Sequence, residues 1–93
     1  MFLGSYHFDG NPTTLIAAYE RLNATFPAGQ HDVRICVVRD GGITVYDTCP
    51  SREVFAGFST GSDFSAVLAS IGLPPPRVEP IGDIHAALVG PAS

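Results

Sequence analysis

Hydrophobic and polar positions change their period several times along this chain, and the changes divide it into segments. From Val33 to Arg39 and from Ile43 to Cys49, β-branched, aliphatic and aromatic residues dominate, with Arg34, Arg39 and Asp47 set among them. Asp40-Gly41-Gly42 separates the two runs and supplies the positive φ values that a tight turn needs. The pattern predicts a β-hairpin over Asp32 to Cys49. With Gly41-Gly42 as the two-residue turn, Cys36 faces Asp47 and Cys49 faces Arg34. That register keeps the sulfurs apart and predicts two packed thiols, not a disulfide. It also leaves Arg34 and Asp47 close together but not directly opposed.

The residues before the hairpin carry two other patterns. Apolar and aromatic residues fill 2–8, a strand ended by the turn-forming Asp9-Gly10-Asn11-Pro12. Leu15, Ile16, Tyr19, Leu22 and Phe26 then recur at spacings of three and four, which is one face of a helix. Asn11 or Thr13 is its N-cap, Pro12 is tolerated in its first turn, and Pro27-Ala28-Gly29 stops it.

After the hairpin, Ser51 and Glu53 mark a second helix start, with Val54, Phe55 and Phe58 as its apolar face. Thr60-Gly61-Ser62 interrupts that pattern, and Phe64, Val67, Leu68 and Ile71 resume it as far as Gly72 and Pro74-Pro75-Pro76. A broken helix or two short consecutive ones is expected. A last strand is placed at about 79–88, at an edge because Pro80 cannot donate to a ladder, and 89–93 read as a frayed tail.

The order β-α-β-β-α-β is the split βαβ arrangement. It predicts a single α+β, ferredoxin-like domain over 1–93. Right-handed crossovers give an antiparallel four-stranded sheet of order 4-1-3-2, with the helices on one face. Apolar residues occupy both faces of the hairpin strands: Val33, Ile35 and Val37 on one side, Cys36 and Val38 on the other. A sheet with water behind it alternates more cleanly. A second copy of the chain is therefore the expected cover, and the exposed edge at Val33–Val38 points the same way.

Composition narrows the functional classes. The 93 residues are 45% hydrophobic and 15% charged, which is the balance of a folded globule. No apolar run approaches the ~20 residues that span a bilayer. The opening Met1 to Asp9 has neither a cationic segment nor a long apolar one, so a cytoplasmic protein is expected. The net charge is −4, with five scattered arginines and no lysine. That argues against a nucleic-acid face, Schiff-base chemistry and a Gly-Lys-Ser/Thr phosphate loop. The use of arginine alone as the basic residue suggests a GC-rich genome. No Cys or His pair has zinc spacing, and neither a metal nor a cofactor is expected.

Three stretches carry a family resemblance: Tyr6-His7-Phe8, Thr44 to Thr48 running into Ser51 to Phe58, and Phe64 to Leu68 before Gly72-Leu73-Pro74. On these the chain resembles the dimeric α+β barrel superfamily, in particular its small actinobacterial members and, more loosely, its antibiotic-biosynthesis-monooxygenase branch. The resemblance implies two ferredoxin-like protomers packed sheet against sheet, with a cavity between each sheet and its helices or inside the barrel. It also implies a range of activities, among them cofactor-free oxygenation of aromatic polyketides, cyclisation and haem degradation, so fold alone does not choose the function. The haem-degrading branch relies on a Trp and a helix-borne His. This chain has no Trp, and its histidines (His7, His31, His85) fall on strands or a loop.

The candidate chemistry is limited. His7 and His85 lie on strands expected to be neighbours, and as a pair they are candidate general bases for a phenol or β-dicarbonyl, since imidazole titrates near working pH. The structural alternative has each capping a strand end. Arg34 is a candidate anchor for a carboxylate or enolate, oriented by Asp47, or else the two form a structural ion pair. Tyr6 and Tyr46 are candidate phenolic donors to a ligand, whereas Tyr19 falls on the helical core stripe. Cys49 precedes a helix start that could lower a thiol pKa, against which stands a packed thiol. The reading that results is a ligand-binding or structural homodimer, with a small aromatic molecule as its candidate ligand. Its alternative is a cofactor-independent monooxygenase or cyclase.

Overall fold

The computed structural model describes residues 1–26, 29 and 32–88; His31 and the tail over 89–93 lie outside them. The elements are β1 (Phe2–Asp9), α1 (Pro12–Thr25), β2 (Arg34–Arg39), β3 (Gly42–Cys49), α2 (Arg52–Ser59), α3 (Ser62–Ile71) and β4 (Arg77–Asp83). They form an α+β, ferredoxin-like unit whose four strands pair antiparallel in the order β2-β3-β1-β4. This is the expected order, counted from the other edge. No single helix among the described residues is long and apolar enough to cross a membrane.

Local chemistry sets the element ends. The Asn11 side chain accepts a hydrogen bond from the Thr14 amide at 3.2 Å and starts α1, and Ser51 caps α2 through the Val54 amide at the same distance. Gly72 closes α3 in a left-handed conformation, with the Leu73 amide bonded to the Leu68 carbonyl at 2.9 Å. The interrupted pattern after Ser51 resolves into two helices, α2 and α3, bent by 60° at the break. Arg21 of α1 donates two hydrogen bonds, of 3.0 and 2.7 Å, to the Ile71 carbonyl, so α1 is pinned to the end of α3.

The hairpin register differs from the expectation by two residues. Asp40-Gly41 is the loop, Arg39 pairs with Gly42, Cys36 with Val45, and Arg34 lies directly opposite Asp47. The two glycines do different work. Gly41 takes a φ of 77° and supplies the turn, whereas Gly42 has already joined β3. A Cβ on Gly42 would come within 2.1 Å of the Phe8 carbonyl oxygen, so that glycine serves the close approach of β1. A two-residue shift leaves every side chain on its expected face and changes only its cross-strand partner.

The last strand starts two residues earlier than expected and ends five earlier, at Asp83. It is an edge strand paired only with β1, and its register slips at Leu3/Gly4, with Pro80 at the slip. Pro80 is tolerated there because an edge position at an irregularity does not need its N–H.

All three helices cover one face of the sheet. Phe55 of α2 packs into this face, with its ring tilted against those of Phe2 at 5.5 Å and Tyr6 at 5.7 Å. Gly4 makes room for it: a Cβ there would sit 1.9 Å from the Phe55 ring. Phe8, Ile43, Val45, Leu15, Ala18, Tyr19, Leu68 and Leu73 complete the core. The opposite face carries Leu3, Ser5 and His7 of β1, Thr44 and Tyr46 of β3, and Ile35 and Val37 of β2. Nothing in the chain's described residues covers it, and Ile35 and Val37 are 51% and 42% exposed.

Candidate functional site

The helix-covered face is not filled to its edge. Between the C-terminal half of α1, the pair α2 and α3, and the sheet lies a cavity of about 320 Å³. It falls at the small end of the range of about 300–1,000 Å³ in which proteins hold small molecules. Its walls are apolar: Phe8 and Val45 from the strands, Leu22 and Phe26 from α1 and its end, and Phe58, Phe64, Val67 and Leu68 from α2 and α3. Phe58 and Phe64 meet at 4.7 Å between ring centres, and Phe64 reaches Tyr6 at 5.2 Å. Phe26 and Phe58, which line the cavity, are half-exposed.

Four polar residues interrupt these walls: Tyr6, Arg34, Asp47 and Asp63. Three sit on adjacent strands, side by side on the cavity floor. Tyr6 is central on β1, Asp47 is two residues beyond its partner Val45 on β3, and Arg34 begins β2 opposite Asp47. Arg34 Nη2 donates to Asp47 Oδ2 at 3.4 Å, while Nη1 donates to Asn23 Oδ1 at 3.0 Å and to the Phe26 carbonyl at 2.6 Å. The guanidinium therefore bridges the sheet to the end of α1.

Burial pushes the Asp47 carboxyl above the ordinary aspartate range, against the opposing pull of Arg34. Burial also drives the Tyr6 phenol strongly upward, assisted by the negative charge of Asp47. Tyr6 is 6% exposed and stays protonated at any ordinary pH, so its hydroxyl is a hydrogen-bonding group and not a base. Asp63, in the first turn of α3, is exposed and adds a second carboxylate to the same cavity.

A smaller recess of about 200 Å³ adjoins the cavity; Tyr6, Asp47 and Phe58 line both, and Cys49 lines the recess. The Cys49 thiol is pushed up by burial, not down, and it lies 3.3 Å from the Ser51 carbonyl and 3.8 Å from that of Phe2. Both cysteines are free thiols. Cys49 is a packed thiol, not an activated one.

The structure brings together Tyr6, Arg34 and Asp47 of the sequence candidates and separates the others. Tyr46 is on the uncovered face, between Ser5 of β1 and Ile35 of β2. His7 is on that face as well. Its Nδ1 lies 2.9 Å from Thr44 Oγ1 and its Nε2 lies 2.9 Å from Glu79 Oε1. Ser5 Oγ approaches the same Nε2 at 3.4 Å and donates to the Glu79 carbonyl at 3.0 Å. Serine and carboxylate thus meet one ring nitrogen, whereas a relay needs them on opposite nitrogens, and Ser5 is fully buried.

His85 does not join His7. It follows the end of β4, beside the start of β1, where the Ile84 amide bonds to the Met1 carbonyl at 2.8 Å. His7 pairs with Arg77 at the other end of β4. At about 3.3 Å per residue, the two imidazoles stand at opposite ends of the sheet. The expected pairing required a register that sets His85 close to His7, whereas β1 pairs with β4 so that His7 meets Arg77 and Phe2 meets Asp83.

The cavity walls from α2 and α3 were legible only as helix faces. Phe58, Phe64, Val67 and Leu68 have helical spacing, which core packing explains equally well. The usable signal was excess: an eight-residue helix carrying Val54, Phe55 and Phe58 presents more apolar surface than one sheet contact consumes. Comparison of the chain with family models, curated proteins and solved structures finds no match.

Proposed function

We propose that this protein binds a small, largely aromatic molecule in the cavity between its sheet and its helices. The observation that carries this reading is an apolar, aromatic-walled cavity with a few polar groups, Tyr6, Arg34 and Asp47, converging on its floor. An unfilled space of this size beside a well-packed core costs stability, which a bound molecule restores. Naphthol is a suitable probe. Fluorescence titration should give saturable binding, one molecule per chain. Val67→Trp, which fills the cavity from α3, should abolish it, and His7→Gln on the far face should leave it unchanged. Equal binding by wild type and Val67→Trp would end this reading.

The binding unit in this proposal is a cytoplasmic homodimer joined through the uncovered sheet faces, as in a dimeric α+β barrel. Ile35 and Val37 supply an exposed apolar strip on that face. Arg39 lies beside it, and Arg77 and Glu79 lie on the same face at the opposite edge strand, a mixture of charges that suits pairing of the face with itself about a two-fold axis. Free thiols suit a reducing compartment. Light scattering should report a dimer that Val37→Glu converts to a monomer; a wild-type monomer at micromolar concentration refutes the association.

A second reading, a cofactor-independent monooxygenase or cyclase, is favoured by one observation. Asp47 is a carboxylate of raised pKa in an apolar cavity, a suitable base for an acidic C–H or phenol, with Arg34 beside it to offset the charge that develops. The base of this reading is Asp47 and neither histidine. Exchange of the acidic hydrogens of a cyclic β-diketone in heavy water, followed by NMR, should be faster with wild type than with Asp47→Asn.

A further inference from the structure

The polar groups of the cavity differ in what they still offer a ligand, and the difference bears on ligand class. Arg34 is committed. Its two terminal nitrogens serve three acceptors, Asn23, the Phe26 carbonyl and Asp47, and the Asp47 carboxylate balances its charge. Asp47 is less committed. A carboxylate has about four acceptor sites. Among the described residues the only side chain bonded to it is Arg34, through one oxygen at 3.4 Å, which is long for a charge-assisted bond. Asp63 lines the same cavity and has no cation bound to it among the described residues. One guanidinium and two carboxylates leave the cavity with an excess negative charge, inside a chain whose net charge is −4. The Tyr6 hydroxyl beside them can accept as well as donate.

From this we infer that the cavity selects aromatic molecules carrying a hydrogen-bond donor, a hydroxyl or an ammonium group, and rejects aromatic carboxylates. The inference rests on the cavity reading above and assigns its ligand class. A donor group reaches the spare acceptor capacity of Asp47 and Tyr6 while the ring lies among Phe8, Phe58 and Phe64. An ammonium group gains in addition from the excess negative charge and from the aromatic faces around it. A carboxylate entering the same space meets Asp47 and Asp63 as like charges. A spare N–H of Arg34 can still meet it, but any pairing that draws Arg34 away from Asp47 leaves that carboxylate buried without its partner. Of the two roles that the sequence offers Arg34, this favours the structural ion pair over the anchor for an anion.

Three ligands of one ring system provide the test: naphthol, naphthylmethylamine and naphthoate, titrated at neutral pH, where they are neutral, cationic and anionic. The expected order has the amine and naphthol binding about tenfold or more tightly than naphthoate. Asp47→Asn should narrow that gap. Should that variant fold poorly with Arg34 left unpaired, Asp63→Asn, at an exposed position, should still raise naphthoate affinity relative to naphthol by about two- to fivefold at low salt. Naphthoate binding as tightly as naphthol overturns the ligand class and leaves the cavity reading standing. Failure of all three to bind a folded wild-type protein overturns both.

Discussion

The two faces of the sheet are made from alternate residues of the same strands, yet they are held together by different forces. On the helix-covered face, Phe2, Tyr6, Phe8, Ile43 and Val45 are buried against Phe55 and the other helices. Its polar members, Arg34 and Asp47, are a half-buried pair whose carboxyl is pushed upward by desolvation. On the uncovered face the polar residues form a partly solvated network of His7, Thr44, Glu79 and Arg39. The nearby Asp9 carboxyl is pulled below its ordinary range, chiefly by its hydrogen bond to Arg39. One face thus has a carboxylate that burial disfavours, the other a carboxylate that its partner favours. Two aspartates of one sheet shift in opposite directions because of what surrounds each.

The comparison can be broken at several places, and the largest effect is expected at the covered face. Phe55→Ala removes the ring that lies on Gly4 and should cost about 3–5 kcal/mol in urea unfolding. Gly4→Ala should destabilise the wild type by about 1–3 kcal/mol through its clash with that ring, and should cost less in the Phe55→Ala background. Additive effects in the double variant would show that the contact is not the cause.

The next largest effect concerns the cavity pair. Arg34→Met leaves Asp47 without its partner and should cost about 1–3 kcal/mol at neutral pH. Because the folded pKa of Asp47 already lies above the unfolded one, its proton contributes stability that is fully present below the ordinary aspartate range. That contribution is lost as pH rises through the raised value. Removing Arg34 raises the folded pKa further, so the deficit of the variant should shrink as the solution is acidified. A deficit independent of pH would assign the loss to the packing of the Arg34 stem.

Tyr6 gives the third test. Its raised pKa means that stability is full below pH about 10, where the unfolded chain's tyrosines remain protonated, and falls as pH rises further. Tyr6→Phe should therefore lose less stability on alkaline titration than the wild type. An ultraviolet absorbance titration of the wild type should show one of its three tyrosines ionising late, together with unfolding.

The smallest effects belong to the uncovered face. Asp9→Asn should remove a contribution that is present above the ordinary aspartate range and lost as pH falls, the opposite slope to that of Asp47. His7→Gln should change the stability of the single chain by no more than about 0.5 kcal/mol. A larger loss in the wild-type protein than in a Val37→Glu background would place His7 in a contact between copies.

Much of this architecture is written locally. The period-two runs, the capping residues Asn11 and Ser51, and the glycine and proline stops at Gly72 and Pro74 determine the elements. The split βαβ order then determines the sheet, because crossover handedness leaves few alternatives. Face assignment followed too, since a strand period of two survives a register error of two residues. What the chain could not declare was partnership. Whether Gly41 or Gly42 serves the turn depends on how closely β1 passes Gly42. Whether His85 meets His7 depends on the register in which β4 pairs with β1.

The cavity is the clearest case. Tyr6, Arg34 and Asp47 were visible as polar residues in apolar strands, but their convergence requires Arg34 to sit opposite Asp47 and α1 to end above them. The walls that enclose them come from helices whose apolar faces look like any other core stripe. Sequence determined which residues could form strands and helices and which faces they share, because those depend on backbone periodicity and near neighbours. Only the tertiary structure decided which polar groups meet, and that they meet inside an apolar cavity, because desolvation depends on residues far apart in the chain.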